Sequence, residues 1–380
     1  MDSTQRLTFV IPAMTGGGAE RQMSYLANHA AATGYNCSLI TLSSNTADAY
    51  SLDPRIDRIG LDVMRESCGF WESIQTNRNR IRLLKKAILD CHPDGVVSFC
   101  DKMNIMTLAA VGGSSGRNIP VIIGERSDPR KQHLGWFWET LRRFYYPKCS
   151  ASVVQTAAVG EYLKKIIGTS KPVHVVPTAF QPENREHSLT QALLSSDKTT
   201  SVKRLLYAGR LSNEKGIDRL LAIWPALHER FPVWRLLVAG EGAEKEHWLH
   251  TNASHPSAAS IDWLGWVPDL RALMASCDAF VLPSQYEGFP NALIEAMDCG
   301  LPCVATDCSA SIREFMVDNV SGIIVGNDPQ SLMAGLDRLL KNQTLRAQLS
   351  KNASHAVSPY SWPMVSPRWD KVLQSFASMR

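Results

Sequence analysis

Glu287-Gly288-Phe289-Pro290-Asn291-Ala292-Leu293-Ile294-Glu295-Ala296-Met297-Asp298-Cys299-Gly300-Leu301-Pro302-Cys303-Val304-Ala305-Thr306 is the stretch whose reading decides the fold. The apolar run 279–283 just before it reads as a buried strand, and Ser284-Gln285-Tyr286 as the turn that ends it. A helix is expected from about Asn291, rich in good helix formers, stopping at Gly300. Residues 302–306 read as a second buried strand. This strand–loop–helix–strand unit carries two carboxylates, Glu287 in the loop and Glu295 on the helix. The free N–H groups and dipole of the helix start favour an anionic group such as phosphate. The two carboxylates can then receive hydroxyl donors on either side of it.

The same alternation runs along all 380 residues and implies parallel sheets joined by crossover helices. In the first half, strands read near residues 7–13, 37–42, 95–99, 120–124, 151–155 and 173–176. In the second half they read near 204–208, 234–239, 261–264, 279–282, 302–305 and 322–325. Residues 181–201 turn polar between the halves and read as a linker. Two domains are the natural expectation at this length: residues 1–180, then 202–361, with a terminal helix over 362–380. The fold class is therefore α/β, two Rossmann-like parallel-sheet domains. Open parallel sheets bind ligands outside the carboxyl ends of their strands, so two such domains facing each other would close a cleft on two substrates.

Two further segments carry chemistry. Strand residues 7–12 lead into Gly16-Gly17-Gly18 and an expected helix over 19–32. Glycines let backbone approach a ligand closely, and a helix start can cradle phosphate or sugar; a plain structural turn is the equal alternative. The dinucleotide pattern G-x-G-x-x-G fails, because its third glycine falls at Arg21. In residues 205–217, Arg210 is expected to end a buried strand and Lys215 to open the next helix. A cation there opposes the helix dipole, which suggests charge compensation for a diphosphate: Arg supplies a fork and Lys a mobile point charge. The alternative is a surface salt bridge from Lys215 to Glu214 or Asp218.

Together, in this order, the three segments resemble the retaining, nucleotide-sugar-dependent glycosyltransferases of family 4, which have the GT-B fold. The 287–306 run matches their paired-glutamate signature nearly throughout, and residues 209–216 resemble their G-R-L-x-x-x-K-G segment. The resemblance implies a catalytic group of Glu287, Arg210 and Lys215, with Glu287 on sugar hydroxyls or on positive character at the anomeric carbon. It implies that Glu295 receives the ribose diol. Gly288, Phe289 and Pro290 lead to the backbone N–H groups of Asn291, Ala292 and Leu293, which hold the diphosphate. Gly16, Gly17 and Gly18 lie under the donor sugar in that family. Gly240 and Gly242 lie near the nucleotide, and the backbone around Val267 reads the base; tight turns are the alternative for these last two. The donor implied is a UDP-sugar. No metal cofactor is implied, and the chain has no Asp-x-Asp that would suggest a metal-bridged diphosphate.

The acceptor is expected on the first domain. Many family members have a histidine after its fourth strand, whereas this chain has Ser98-Phe99-Cys100-Asp101-Lys102-Met103-Asn104. Residues 124–129, Gly-Glu-Arg-Ser-Asp-Pro, are similar to an S-E-R-x-D-P segment of the subgroup that builds bacterial lipid-linked oligosaccharides and exopolysaccharides. Asp101, Lys102, Glu125 and Arg126 thus fall at strand ends, for acceptor contact or for structural ion pairs. On a helix, Arg78, Arg82 and Lys85 make a basic stripe opposite Ile81, Leu84 and Ile88. Residues 130–148 interleave Trp136, Phe137, Trp138, Phe144, Tyr145 and Tyr146 with Arg130, Lys131, Arg142, Arg143 and Lys148. Such a mixture suits an anionic membrane interface; core packing and a solvated helix face are the alternatives.

Composition narrows the rest. The net charge of +4 is modest and no nucleic-acid motif occurs. Nine cysteines are scattered without metal spacing, as reduced buried thiols would be. No secretory signal or membrane-length apolar run is apparent. The expectation is a cytoplasmic, peripheral-membrane glycosyltransferase with a nucleotide-sugar donor and a polyprenyl-diphosphate-linked glycan acceptor. The alternatives are a soluble acceptor, or a non-catalytic nucleotide-sugar-binding component of a polysaccharide assembly complex.

Overall fold

The structure is a computed structural model, and it describes residues 5–46, 48–64, 70–112, 119–132, 134–182, 202–253 and 255–379. Most of the expected linker, residues 183–201, lies outside the described residues. The chain divides into two compact units, Met1–Ala179 with Val365–Arg380, and Phe180–Met364.

The first unit contains strands β1 (Arg6–Ile11), β2 (Asn36–Thr41), β3 (Asp57–Gly60), β4 (Gly95–Phe99), β5 (Val121–Gly124), β6 (Ala151–Val154) and β7 (Val173–Val175). Its helices are α1 (Gly18–Ala32), α2 (Phe70–Asp90), α3 (Asp101–Val111), α4 (Trp136–Tyr145) and α5 (Ala157–Ile167). The sheet order is β3-β2-β1-β4-β5-β6-β7, and all its pairings are parallel. The central strands are short runs of Val, Ile, Leu and Phe with both faces covered, the pattern of a doubly covered parallel sheet. Strand β3 was not expected from the sequence. It is an edge strand with only partial burial, so its Asp-Arg-Ile-Gly lacks an apolar run, and Arg58 is held by Asp48 at 2.8 Å.

The second unit contains β8 (Lys203–Ala208), α6 (Ile217–Arg230), β9 (Trp234–Ala239), α7 (Lys245–Ala253), β10 (Ile261–Gly265), α8 (Leu270–Ala275), β11 (Ala279–Leu282), α9 (Asn291–Asp298), β12 (Cys303–Thr306), α10 (Ile312–Phe315), β13 (Ile323–Val325), α11 (Pro329–Lys341) and α12 (Gln343–Val357). Its sheet runs β10-β9-β8-β11-β12-β13, again parallel. In each sheet the strand order reverses once, between β1 and β4 and between β8 and β11. Those switch points are where open α/β sheets offer a crevice to ligands.

The final helix, α13 (Trp362–Gln374), is followed by a 3-10 turn, Ser375–Ser378, and does not continue to the expected residue 380. From Val365 onward this segment belongs to the first unit. Trp369 meets Phe99 at 5.8 Å between ring centroids, Asp370 reaches His29 at 2.6 Å, and Phe376 is fully buried over Gly95. Any side chain at Gly95 would overlap the Phe376 ring, which explains glycine at the start of a central strand.

Candidate active site

Strands β8 and β11 are neighbours, and the loops leaving their carboxyl ends carry Arg210, Lys215 and Glu287. The expected helix opening at Lys215 is corrected. Residues 213–215 form a 3-10 turn, Gly216 turns left-handed at φ 67°, and α6 starts at Ile217. A methyl at Gly216 would overlap the Pro283 carbonyl, so glycine is needed for both its φ and the close approach. Gln285 tightens the contact, its N–H donating to the Glu214 carbonyl at 2.8 Å and its amide to the Asn213 carbonyl at 3.1 Å.

This clamp brings Lys215 onto Glu287. The ammonium donates to both carboxylate oxygens, at 2.9 and 2.8 Å. Ser284 donates to Glu287 Oε1 at 2.7 Å, and its own carbonyl accepts from Thr306 on β12 at 2.6 Å. Glu287 is buried, whereas a quarter of the Lys215 side chain reaches solvent. The partner of Lys215 is therefore Glu287, not Glu214 or Asp218 as the sequence alternative had it. The motif shows both cation and carboxylate, but their pairing joins residues 72 apart and only the clamp produces it. Ser284 was missed although its bond to Glu287 spans only three residues, because residues 284–286 read as a plain turn.

Arg210 behaves differently. Its side chain is 70% exposed, and its closest ion-pair contact is Glu214 at 3.9 Å. It does not end a strand, since β8 stops at Ala208. Helix α9 starts after Pro290, which supplies no side-chain cap. The first-turn N–H groups of such a helix are left for solvent or a ligand. Phe289 and Leu293 are buried in the core, Phe289 between Phe315 and Tyr360 at 5.8 Å from each, so their side chains serve packing. Glu295 is buried on α9 within electrostatic reach of Arg271, itself bonded to Asp298. Gly240 and Gly242 lie against the backbone of Gly209 and Leu211, where a methyl would overlap a carbonyl at either position. Their glycine requirement is that of the turn after β9 lying close against the loop that leaves β8. Val267 is partly buried and packs on the core beside Trp266, which is 50% exposed.

In the first unit the glycine turn after β1 is occupied from within. Glu20 accepts from the N–H groups of Gly16 at 2.6 Å and Gly17 at 3.0 Å, while Gly18 opens α1. A carboxylate three residues into a helix caps it in this way. Those two amides, expected to face a phosphate or sugar, serve the protein's own side chain here. Asp101 and Lys102 begin α3, with Lys102 exposed over the Trp138 ring. Arg126 donates to Thr178 at 2.9 Å and covers Phe99; burial pushes its guanidinium down to about 10. Glu125 is buried and accepts from the Tyr146 hydroxyl.

The aromatic and basic stretch splits in two. Trp136 and Phe144 are exposed, with Lys148 4.0 Å from the Phe144 ring centroid and Arg143 exposed beside them. Arg142 and Tyr146, expected among the surface groups, are instead fully buried: four residues apart, both turn inward, where Arg142 meets Glu139 and Asp101 and Tyr146 meets Glu125. On α2, Arg78 and Arg82 are exposed and Lys85 half-buried, while Leu84 and Ile88 are buried. No helix among the described residues is long and apolar enough to cross a membrane.

Residues 16–184 match the family model described as Glycosyltransferase Family 4, and residues 195–356 match the model described as Glycosyl transferases group 1. A relative in Campylobacter jejuni is 25% identical over 373 residues, covering 97% of this chain and 98% of its own. It is named GalNAc-alpha-(1->4)-GalNAc-alpha-(1->3)-diNAcBac-PP-undecaprenol alpha-1,4-N-acetyl-D-galactosaminyltransferase. Among solved structures, the sucrose-phosphate synthase of Thermosynechococcus elongatus superposes with a TM-score of 0.80 at 17% identity, covering 99% of this chain and 100% of that one. HepE of Anabaena, solved in complex with UDP, superposes with a TM-score of 0.72 at 16% identity, over 98% of this chain and 100% of that one.

Proposed function

The chain belongs to the family 4 glycosyltransferases and has their GT-B fold, and from that premise we propose that it transfers a sugar from a UDP-sugar to a polyprenyl-diphosphate-linked glycan with retention of anomeric configuration. The observation that carries this reading is the Lys215–Glu287 pair beside Arg210, at the switch point of the second sheet.

In the reaction, the bond from the anomeric carbon to the diphosphate breaks and the acceptor oxygen bonds to the same face. The acceptor proton leaves with the diphosphate oxygen. Charge builds on the departing diphosphate, so the protein acts mainly by placing positive charge there. Arg210 is exposed and free to swing onto phosphate oxygens. Lys215 is held by Glu287 at a fixed height above the end of β11, which avoids reorganisation when charge develops. The helix start at Asn291 adds N–H donors and a dipole of the same sign. Glu287, partly neutralised by Lys215, faces the sugar, and Glu295 receives the ribose. With two cations and a helix start in place, no metal cofactor is required.

Lys102, Arg78 and Arg82 are exposed cations of the first unit suited to the acceptor's diphosphate. Exposed Trp136 and Phe144 with Arg143 and Lys148 suit an anionic membrane surface, which supports a peripheral site of action at the inner face of the plasma membrane. The Campylobacter jejuni relative, whose name specifies an undecaprenol-linked acceptor, supports this choice. The test is thermal stabilisation by nucleotides, because a ligand of the native state raises the melting temperature by mass action. UDP and a small set of UDP-sugars are expected to raise it; stabilisation by GDP or ADP alone refutes the UDP reading, and none by any nucleotide refutes the donor site.

A further inference from the structure

The carboxyl ends of β4 and β5 cover a buried polar cluster with more negative than positive members. Glu125, which follows β5, is 1% exposed, and Asn104 and Tyr146 are fully buried. The Tyr146 hydroxyl donates to Glu125 Oε1, and the Asn104 amide approaches that hydroxyl at 3.4 Å while bonding the Gly124 carbonyl at 3.1 Å. Arg142, 1% exposed, comes in from the inner face of α4. It bonds Glu139 at 3.2 Å and lies 3.7 Å from Asp101 at the start of α3. Asp101 and Glu139 thus flank one guanidinium, and Glu125 lies within electrostatic reach of it. Cys100, Arg126 and Lys102 are also ionisable groups at these strand ends; Arg126 is directed to Thr178, and Lys102 is exposed over the Trp138 ring.

Several polar atoms of the cluster have no hydrogen-bond partner: Glu125 Oε2, Asn104 Oδ1, Asp101 Oδ2, and Nε and Nη2 of Arg142. A buried carboxylate oxygen without a donor is costly. A proton on Glu125 removes the charge and turns that oxygen into a donor.

We propose that Glu125 is a proton-holding switch: it takes up and releases one proton, and its charge sets how firmly helix α4, which brings Arg142 into this cluster and leads on to Tyr146, packs over the strand ends of the first unit. With Glu125 protonated, the buried carboxyl carries no charge, Arg142 serves Asp101 and Glu139, and α4 is held. With Glu125 ionised, a buried charge with Tyr146 as its donor is left in the cluster, and α4 is held less tightly. Burial first, then the neighbouring Asp101, pushes the Glu125 carboxyl up to about 7, whereas Arg142 and the Tyr146 hydrogen bond pull it down. Tyr146 itself is pushed well above its ordinary range by burial and Glu125, so it remains a donor. The switch concerns the first unit alone and stands whether or not the donor reading holds.

The test is a carbon-13 titration of the full chain labelled at glutamate carboxyls. One resonance is expected to titrate near pH 7 and to vanish in Glu125→Gln. If every glutamate of the wild type titrates below about pH 5.5, within one unit or so of the ordinary value, the proposal fails. Tyr146→Phe removes a donor that favours the carboxylate, so the midpoint must rise; an unmoved or lowered midpoint overturns the assignment, and this arm stands if Glu125→Gln does not fold. Hydrogen exchange of α4 amides, corrected for intrinsic rates, is expected to speed up severalfold from pH 6 to pH 8 in the wild type. Protection that does not change with pH in the wild type, or that changes equally when Tyr146→Phe has moved the midpoint out of that window, refutes the coupling.

Discussion

Replacing Lys215 by alanine separates the structural and chemical roles of the ion pair. The variant leaves Glu287, 7% exposed, with the Ser284 hydroxyl still donating to it. Breaking a buried pair from one side costs roughly 3 to 5 kcal/mol. Here the Lys215 side chain is a quarter exposed and Ser284 still donates, so the expected loss is about 2 to 3 kcal/mol, below that range. For a domain the size of the second unit, about 1 kcal/mol corresponds to roughly 2 to 4 °C, and the melting temperature should fall by roughly 4 to 12 °C. Turnover should fall further than stability explains, by roughly 100- to 1000-fold, as when one charge-stabilising donor is removed. The assay is release of nucleoside diphosphate at a temperature where the variant is fully folded by circular dichroism. The double variant Lys215→Ala with Glu287→Gln is expected to recover most of the lost stability, because a neutral amide needs no cation, and none of the turnover. Turnover within threefold of wild type for Lys215→Ala would falsify the leaving-group role. An unchanged melting temperature would refute the buried-pair argument.

Gly216→Ala forces a left-handed φ on alanine and drives its methyl into the Pro283 carbonyl; a loss above about 2 kcal/mol by chemical denaturation is expected, with a weaker response to UDP because Lys215 moves. For Glu125, whose native carboxyl is raised from 4.5 to about 7, the folded protein binds the proton more tightly than the unfolded chain. Its stabilising contribution is complete below pH 4.5 and is lost as the pH rises to about 7. Relative to Glu125→Gln, the wild type should therefore lose up to about 3 kcal/mol between pH 4.5 and pH 8, and denaturation curves that run parallel over that range contradict the assignment. Trp136→Ala together with Phe144→Ala, both exposed, should reduce sedimentation with anionic liposomes severalfold without lowering the melting temperature; wild-type protein that stays in the supernatant sinks the membrane surface. Gly95→Ala places a methyl against the Phe376 ring and should destabilise the first unit by roughly 1 to 3 kcal/mol, read by proteolysis of residues near the carboxyl terminus.

The sequence by itself determined the α/β class, most strand positions and the chemical types at the site. Central strands are buried on both faces and so are written as unbroken apolar runs, and the helix after Asn291 is marked by composition and by Gly300. Edge strand β3 escaped because one-sided burial does not demand apolar residues. The presence of Arg210, Lys215, Glu287 and Glu295 was legible because each stands at a fixed offset from a strand end. What each touches was not. Lys215 meets Glu287 only because Gly216 lets one loop lie against the end of β11. The Gly16 and Gly17 amides are filled by Glu20 because helix capping acts at three to four residues, a local competition that the glycines alone do not reveal. Arg142 and Tyr146 look like membrane-facing residues in a list of basic and aromatic side chains. Which face of α4 turns inward is decided by the strands beneath it, and those strands place both against Glu125 and Asp101. Residue type is local information, whereas pairing, burial and charge balance depend on packing between segments far apart in the chain.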